Sequence, residues 1–81
     1  MESRIAMISI IVEDMEATAK INELLHMYAE FVVGRMGIPY RDKGVHVIAV
    51  VLDAPTDVVS TLSGKLGMVH GINVKAVYSK K

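Results

Sequence analysis

The side chains best suited to bind a charged ligand lie in one polar stretch, residues 33–44, with the sequence Val-Gly-Arg-Met-Gly-Ile-Pro-Tyr-Arg-Asp-Lys-Gly. The guanidinium groups of Arg35 and Arg41, together with backbone N–H groups of the glycine-containing chain, can converge on a carboxylate or a phosphate. We therefore predict that the ligand-binding residues are Arg35, Gly37, Tyr40 and Arg41. The alternative is a solvated hairpin loop, in which glycines serve turn geometry and charged side chains keep a sheet edge soluble.

The three histidines, His26, His46 and His70, lack the close spacing of a dedicated metal site, and the chain has no cysteine to supply a thiolate. We therefore predict no bound metal and no cofactor, and we interpret each histidine as a hydrogen-bonded structural side chain. Two alternatives stay open. One is a histidine-based sensor for nickel, copper or zinc, and the other is a pH-dependent role, since imidazole titrates near neutral pH. The six methionines are interpreted as core filler.

Patterns typical of catalysis are weak in this sequence. Glu13, Asp14 and Glu16 form an acidic cluster, which a helix N-terminus explains because carboxylates there interact favourably with the helix dipole. Residues 63–67, Ser-Gly-Lys-Leu-Gly, contain a glycine and a lysine but not the complete phosphate-loop motif. We therefore predict no catalytic residue and a protein that is not an enzyme.

Length and composition predict one small domain, residues 1–81, with a thin core. A chain of this size buries only about 60% of the surface that it exposes when unfolded. Yet 52% of its residues are hydrophobic, and no cysteine is available for a stabilising disulfide. An oligomer would add the missing buried area without lengthening the chain.

Charge and hydropathy argue against nucleic acid and membrane partners. The nine basic and nine acidic residues cancel, so the chain lacks the net positive charge that attracts nucleic acid. The longest apolar run, residues 5–12, is far shorter than the roughly 20 residues that cross a bilayer. The first residues lack the layout of a secretory signal, and the absence of cysteine fits a reducing compartment, so we predict a cytoplasmic protein.

Two segments, Ile5–Val12 and Val45–Leu52, are rich in β-branched residues and largely apolar at both alternating sets of positions. Such strands are typical of the centre of a covered sheet. The other predicted elements are two strands and two amphipathic helices. The strands are an edge strand Ala29–Met36, followed by a break from Gly37 to Gly44, and a last strand Ile72–Ser79. The first helix starts within Glu13–Glu16 and carries the apolar stripe Ala17, Ile21, Leu24, Leu25 and Tyr28. The second helix starts within Asp53–Asp57, with Pro55 in its first turn, and ends with a left-handed stop at Gly67.

The predicted order is β-α-β-β-α-β, and the first and third strands are the ones that are apolar on both faces. In the ferredoxin-like arrangement, with sheet order 4-1-3-2, these two strands form the central pair. We therefore predict an α+β, ferredoxin-like βαββαβ fold, with a four-stranded antiparallel sheet and two helices on one face. The bare face would be an apolar patch larger than monomers usually show, so we predict a homo-oligomer, either a dimer or a tetramer.

Three segments of the chain resemble a known family. They are residues 33–41, Val-Gly-Arg-Met-Gly-Ile-Pro-Tyr-Arg, residues 50–58, Val-Val-Leu-Asp-Ala-Pro-Thr-Asp-Val, and residues 62–67, Leu-Ser-Gly-Lys-Leu-Gly. Together they resemble the small family of regulators of the iron-only hydrogenase system, over nearly the whole chain. The resemblance implies a domain of ferredoxin-like, ACT-like fold, similar to the C-terminal ligand-sensing domain of the nickel-responsive repressor.

The sequence departs from these relatives at their binding sites. The nickel-responsive repressor binds nickel with a cysteine and paired histidines around its third strand, where this chain has only His46. That repressor reads DNA through a module ahead of the first strand, and we expect none here because the first strand follows Arg4 almost directly. ACT domains that bind amino acids use a glycine in the loop after the first strand, where this chain has Glu13-Asp14-Met15. We therefore expect neither that nickel site nor an amino-acid ligand.

The sequence as a whole predicts a cytoplasmic, oligomeric, non-catalytic regulatory domain that binds a small-molecule effector or a partner protein. The runner-up is a small enzyme of the acylphosphatase type, which shares the fold and holds phosphate with an arginine and backbone amides. The phosphate cradle of such an enzyme follows the first strand, where the charges of Glu13 and Asp14 would repel the substrate.

Overall fold

The computed structural model describes residues 2–81 of the chain. Within these residues it contains the strands and helices β1 (Ser3–Val12), α1 (Thr18–Met27), β2 (Val32–Tyr40), β3 (Val45–Pro55), α2 (Thr56–Gly67) and β4 (Ile72–Tyr78). Short 3₁₀ turns cover Met15–Ala17, Ala29–Phe31 and Arg41–Lys43. In this part of the chain, no helix is long and apolar enough to cross a membrane.

The strands form one antiparallel sheet with the order β2-β3-β1-β4. β1 pairs with β3 along its whole length, where Ile10 lies opposite Ile48, and with β4 on its other side, where Ile10 lies opposite Val74. The two strands predicted to be central therefore are central. The order is 4-1-3-2 counted from the other edge, so the predicted α+β, ferredoxin-like class is confirmed.

The hydrophobic core lies between the helices and one face of the sheet. Alternate residues of β1 and β3 point to the helices, because strand side chains alternate between faces. Each helix adds an apolar stripe with spacings of three and four residues. The buried residues are Ala6, Ile8, Ile10, Val12, Ala17, Ile21, Leu24, Leu25, Ile48, Val50, Leu52, Ala54, Val59, Leu62 and Leu66. Both helices thus cover one face, and the described residues leave the other face bare.

The edge strand lies further along the chain than predicted. β2 continues to Tyr40, so the predicted break from Gly37 to Gly44 is a strand in its first half. The segment Ala29–Phe31, predicted as strand, forms a 3₁₀ turn instead. Glycine and proline weaken a central strand. Proline has no backbone N–H to donate, and Pro39 is tolerated here because one side of an edge strand has no neighbouring strand to bond.

The reversal between β2 and β3 is correspondingly short. It consists of the 3₁₀ turn Arg41–Lys43 and Gly44, whose φ of 67° is left-handed. Glycine adopts this conformation without the steric penalty that a Cβ atom would add.

α1 begins later than predicted, whereas α2 begins at Thr56, within the predicted range Asp53–Asp57. Asp14 caps the 3₁₀ turn before α1, since its Oδ1 atom accepts a hydrogen bond from the backbone N–H of Glu16 at 3.0 Å. α1 itself begins at Thr18. β3 runs to Pro55, whose ψ of 147° is extended and not helical, so Pro55 precedes α2 instead of occupying its first turn.

The predicted left-handed stop at Gly67 is wrong. Gly67 is the last residue of α2, and Met68 after it keeps a right-handed conformation. Among residues 2–81, the glycines with positive φ are Gly44 and Gly71, the latter with φ of 85°. The chain after α2 therefore turns into β4 at Gly71.

Candidate functional site

The sheet face opposite the helices carries a broad apolar surface, which we call the open sheet face. Its large apolar side chains are exposed by fractions from 36% at Val47 to 59% at Met36. The members are Ile5, Met7 and Ile11 of β1, Met36, Ile38 and Tyr40 of β2, Val47 of β3 and Val77 of β4. The exposed patch predicted from the two central strands is present, and both edge strands extend it.

Most methionines are not core filler, which corrects the interpretation made from the sequence. Within residues 2–81, exposed methionines are Met7, Met15, Met27, Met36 and Met68. Flexible, polarisable methionine side chains are common on binding surfaces because they adapt to the shape of a partner. Met7 and Met36 lie on the open sheet face, and Met15, Met27 and Met68 line pockets of the surface.

The end of the β2–β3 hairpin forms a pocket of about 320 Å³, which we call the hairpin pocket. Two of the predicted ligand-binding residues, Tyr40 and Arg41, line it together with Met15 and His46. Strand register explains the histidine, because Pro39 of β2 pairs with His46 of β3. The pocket wall is mostly apolar, and the residues that line it include a guanidinium, an imidazole and a phenol, donors that can contact a small anionic ligand.

Arg35 lies apart from the hairpin pocket, so the structure does not bring the two arginines together. Its cross-strand partner is the buried Val50, which places Arg35 on the helix side of the sheet. There its Nη2 atom donates a hydrogen bond to Oδ1 of Asn22 at 3.1 Å, and it lines a separate pocket of about 330 Å³. Arg41 follows Arg35 by six positions of nearly extended chain, a distance of roughly 20 Å. A ligand contact by Arg35 stays a prediction, but it would occur in this separate pocket and not in the hairpin pocket.

Gly37 also lies on the helix side, opposite the buried Ile48. The imidazole of His46 packs against the position that a Cβ atom of Gly37 would occupy. The glycine therefore gives room to a side chain of the hairpin pocket, and a direct ligand contact by Gly37 stays a prediction.

The three histidines line three different pockets. His46 belongs to the hairpin pocket, His26 to the pocket that contains Arg35, and His70 to a groove between the helices. In the described part of the chain, no three histidine, aspartate or glutamate side chains form a group that could hold a metal ion.

The loop after β1 uses its polar groups within the chain. Oε1 of Glu13 accepts a hydrogen bond from Nδ2 of Asn73 at 2.9 Å, and the carboxylate of Asp14 caps the following turn. The backbone N–H groups of Glu13 and Asp14 both donate to the carbonyl oxygen of Gly71, at 2.8 and 3.1 Å. Because these N–H groups are occupied and lie beside carboxylates, this loop is a poor phosphate cradle.

The sequence-based reasoning missed Met15 and His46 as pocket residues, and it missed the groove between the helices. His46 follows from the hairpin register once β2 is extended to Tyr40. Met15 comes from the turn before α1 and lies 25 positions before Tyr40 in the sequence, so no local sequence pattern connects the two residues.

The architecture defines an ACT-like domain of the ferredoxin-like class. The ACT domain of GTP pyrophosphokinase from Chlorobium tepidum matches with a TM-score of 0.74 at 22% identity, covering 93% of this chain and 99% of that one. The C-terminal domain of the MgtC protein from Mycobacterium tuberculosis matches with a TM-score of 0.71 at 13% identity, covering 96% of this chain and 89% of that one. At such identities the likeness shows the fold alone.

The chain belongs to the TM1266-like family, whose family model is described as "Iron-only hydrogenase system regulator, putative" and matches residues 4–76. The solved structure of the uncharacterized protein TM1266 from Thermotoga maritima is 38% identical, with a TM-score of 0.92 over 98% of this chain and 100% of that one. A search of curated proteins gave no significant match. The predicted family is confirmed, and the hairpin segment that suggested it lies inside the matched residues.

Proposed function

We propose that this chain is a non-catalytic regulatory domain of the iron-only hydrogenase system, assembled from copies of itself through the open sheet face. In this proposal the hairpin pocket binds a small anionic effector. The family assignment supports the regulatory role, and the chemistry of the pocket supports the class of effector.

The extent of the open sheet face is the observation that carries the proposal. Its eight large apolar side chains, exposed by 36–59%, present roughly 700 Å² of apolar surface. The largest patch on a typical monomer is about 300–600 Å², whereas a standard interface buries about 800 Å² on each partner. The face is therefore larger than the ordinary patch of a monomer and approaches the area that a standard interface buries on each partner.

A second copy of the same chain is the occupant that fits this face best. Its centre, on β1 and β3, is uncharged: Met7 and Ser9 lie opposite Val51 and Ala49, while the charged residues Asp53 and Lys75 lie towards its margins, opposite Ile5 and Ser9. An apolar centre with one acidic and one basic group at its margins can be complementary to itself, as the two-fold symmetric interface of a homodimer requires. A dimer covers one open sheet face with another, and a tetramer would add contacts along the sheet edges.

Tyr40 connects ligand binding with assembly. Its side chain is 49% exposed on the open sheet face and also lines the hairpin pocket. A ligand that contacts Tyr40 therefore meets different surroundings in the monomer and in the oligomer. Such a ligand shifts the assembly equilibrium, because it binds the two states with unequal affinity.

Sedimentation velocity combined with native mass spectrometry tests the proposal. We expect the mass of a dimer or a tetramer at about 10 µM, and a small anionic molecule that co-purifies with the native protein and dissociates when Arg41 is replaced by alanine. A monomeric mass at that concentration would contradict the assembly. A bound molecule that the Arg41→Ala variant retains would contradict the assignment of the pocket.

The acylphosphatase alternative has its own test. The proposal of a non-catalytic domain is supported by the acidic loop after β1, whose N–H groups are already hydrogen-bonded within the chain. Turnover of an acyl phosphate that is lost in the Arg41→Ala variant would establish catalysis instead. We also propose a cytoplasmic location, supported by a sequence without cysteine.

A further inference from the structure

The outer side of the helix layer carries a groove of about 620 Å³ between α1 and the end of α2, which we call the inter-helix groove. It lies on the opposite side of the sheet from the open sheet face. It is also separate from the hairpin pocket, since the two share no lining residue. Its volume falls within the roughly 300–1,000 Å³ of pockets that bind small organic molecules.

The groove has an apolar lining. Leu24 and Met27 come from one stripe of α1, and Met68 and Val69 come from the turn after α2. Met27 is 59% exposed and Met68 is 88% exposed, so neither side chain is used by the core of this chain. Two adaptable thioether side chains that line one groove suit the flat or extended apolar body of a ligand.

The charged groups at the groove favour an anion. Lys20 and Lys65 line it together with His70, against a single carboxylate, that of Glu23. Nζ of Lys20 lies 3.2 Å from Oε1 of Glu23, but both side chains are more than half exposed, and ion pairs of this kind are weak. Nζ of Lys65 lies 5.5 Å from the centre of the Tyr28 ring. A cation–π contact at the surface holds this ammonium group loosely, so it can turn to an anionic ligand.

We propose that the inter-helix groove binds an amphipathic organic anion, with an apolar body against Met27 and Met68 and an acidic group at Lys20 and Lys65. The size of the groove, its apolar lining and its excess of ammonium groups together define this class of ligand. The site does not depend on assembly through the open sheet face or on the hairpin pocket.

The methionines supply reporters for a direct test. Protein labelled with ¹³C at the methionine methyl groups is titrated with 8-anilinonaphthalene-1-sulfonate, which joins an apolar ring system to a sulfonate. We expect the methyl resonances of Met27 and Met68 to shift, and affinity is read from these two signals alone. Met7 and Met36 report the open sheet face. Shifts confined to Met7 and Met36 would overturn the proposal.

Charge variants test the role of the ammonium groups. The Lys65→Gln and Lys20→Gln variants are each expected to bind the probe about fivefold to tenfold more weakly, since a charge-assisted contact at a partly exposed site is worth about 1 kcal/mol. Glu23→Gln is the matched control of opposite sign, because it removes the one carboxylate, and it is expected to tighten binding. All three side chains are on the surface, so these variants keep the fold.

An uncharged probe provides the last control. N-phenyl-1-naphthylamine has a similar ring system without the sulfonate, and we expect about tenfold weaker binding at Met27 and Met68. Equal affinity for the charged and the uncharged probe would overturn the proposal. It would also be overturned if the Lys65→Gln, Lys20→Gln and Glu23→Gln variants all bound the sulfonate probe with the same affinity. The oligomeric mass, measured on the same samples, separates this outcome from a failure of the proposed assembly.

Discussion

The backbone of β2 at Gly37 lies directly against the imidazole of His46 on β3, so that a Cβ atom on Gly37 would be 3.1 Å from Nε2. The contact is tighter than ordinary van der Waals packing. It connects the stretch 33–44 with the hairpin pocket, since Gly37 belongs to a segment that resembles the family and the imidazole of His46 lines the pocket. The glycine thus fixes where a potential ligand contact lies.

Gly37→Ala is therefore expected to displace the ring of His46. The Gly34→Ala variant is the matched control, because a Cβ atom on Gly34 meets no atom within 4 Å and the residue lies in the same strand. We expect Gly34→Ala to keep or raise stability, and Gly37→Ala to be less stable than this control by about 1 kcal/mol. Urea unfolding measures the difference, and the imidazole resonances of His46 report the displacement. Identical His46 spectra in both variants would contradict the contact.

Gly71 is expected to be the glycine that the fold tolerates losing least. It has a φ of 85°, and a Cβ atom there would overlap Cβ of Asp14. Its carbonyl oxygen also accepts hydrogen bonds from the N–H groups of Glu13 and Asp14, which join the loop after β1 to the start of β4. We expect Gly71→Ala to cost about 2–4 kcal/mol of unfolding free energy, because backbone strain and a steric overlap add.

Gly44→Ala separates these two contributions. Gly44 has a φ of 67°, but no atom lies within 4 Å of the position of its Cβ. In this variant only the left-handed conformation lowers the free energy of unfolding, by about 1–2 kcal/mol. Chemical unfolding of both variants gives the comparison. Equal losses at Gly44 and Gly71 would show that Asp14 moves aside at little cost.

The central half of the fold was predictable because burial on both faces leaves a mark in the sequence. β1 and β3 are apolar at both alternating sets of positions, and that pattern alone identified the central pair. The edge strand β2 was misplaced for the opposite reason. Gly37 and Pro39 are typical of loops, and the pairing with β3 that makes them part of a strand is a tertiary property.

The error in β2 also accounts for what the site prediction missed. In a loop, Arg35 and Arg41 can converge. In an extended strand the six steps from Arg35 to Arg41 span roughly 20 Å, which keeps the two guanidinium groups apart, and Arg35 points to the helices while Tyr40 points to the open sheet face. The pocket that forms instead combines Tyr40 and Arg41 with His46 through strand register, and with Met15 through packing of the turn before α1. The first connection follows from a correct strand boundary, and the second requires the three-dimensional structure.

A charge on the open sheet face is expected to dissociate the proposed oligomer without unfolding the chain. Met36 is 59% exposed, so Met36→Glu leaves the packing of the single chain intact but would bury a carboxylate in the assembled state. We expect this variant to sediment as a monomer. Met68→Glu places the same charge at a residue that is 88% exposed on the helix side, and we expect it to keep the oligomeric mass. Equal masses for both variants would place the assembly interface elsewhere.

The two arginines of the glycine-rich stretch are expected to act separately. Inorganic phosphate serves as a minimal anionic probe, and its binding is followed through the amide resonances of Tyr40 and His46. Since Arg41 lines the hairpin pocket and Arg35 does not, Arg41→Ala should remove most of the phosphate-induced shifts, whereas Arg35→Ala should preserve them.

The Arg35→Ala variant should instead show a small loss of stability, below about 1 kcal/mol, because its hydrogen bond to Asn22 is exposed to solvent. The Asn22→Ala variant removes the same hydrogen bond from the helix side and should lose a similar amount. If Arg35→Ala erased the phosphate response as completely as Arg41→Ala, the two guanidinium groups would have to meet in one site. That result would require β2 to leave the sheet on binding, since the extended strand keeps Arg35 roughly 20 Å from Arg41 while it is intact.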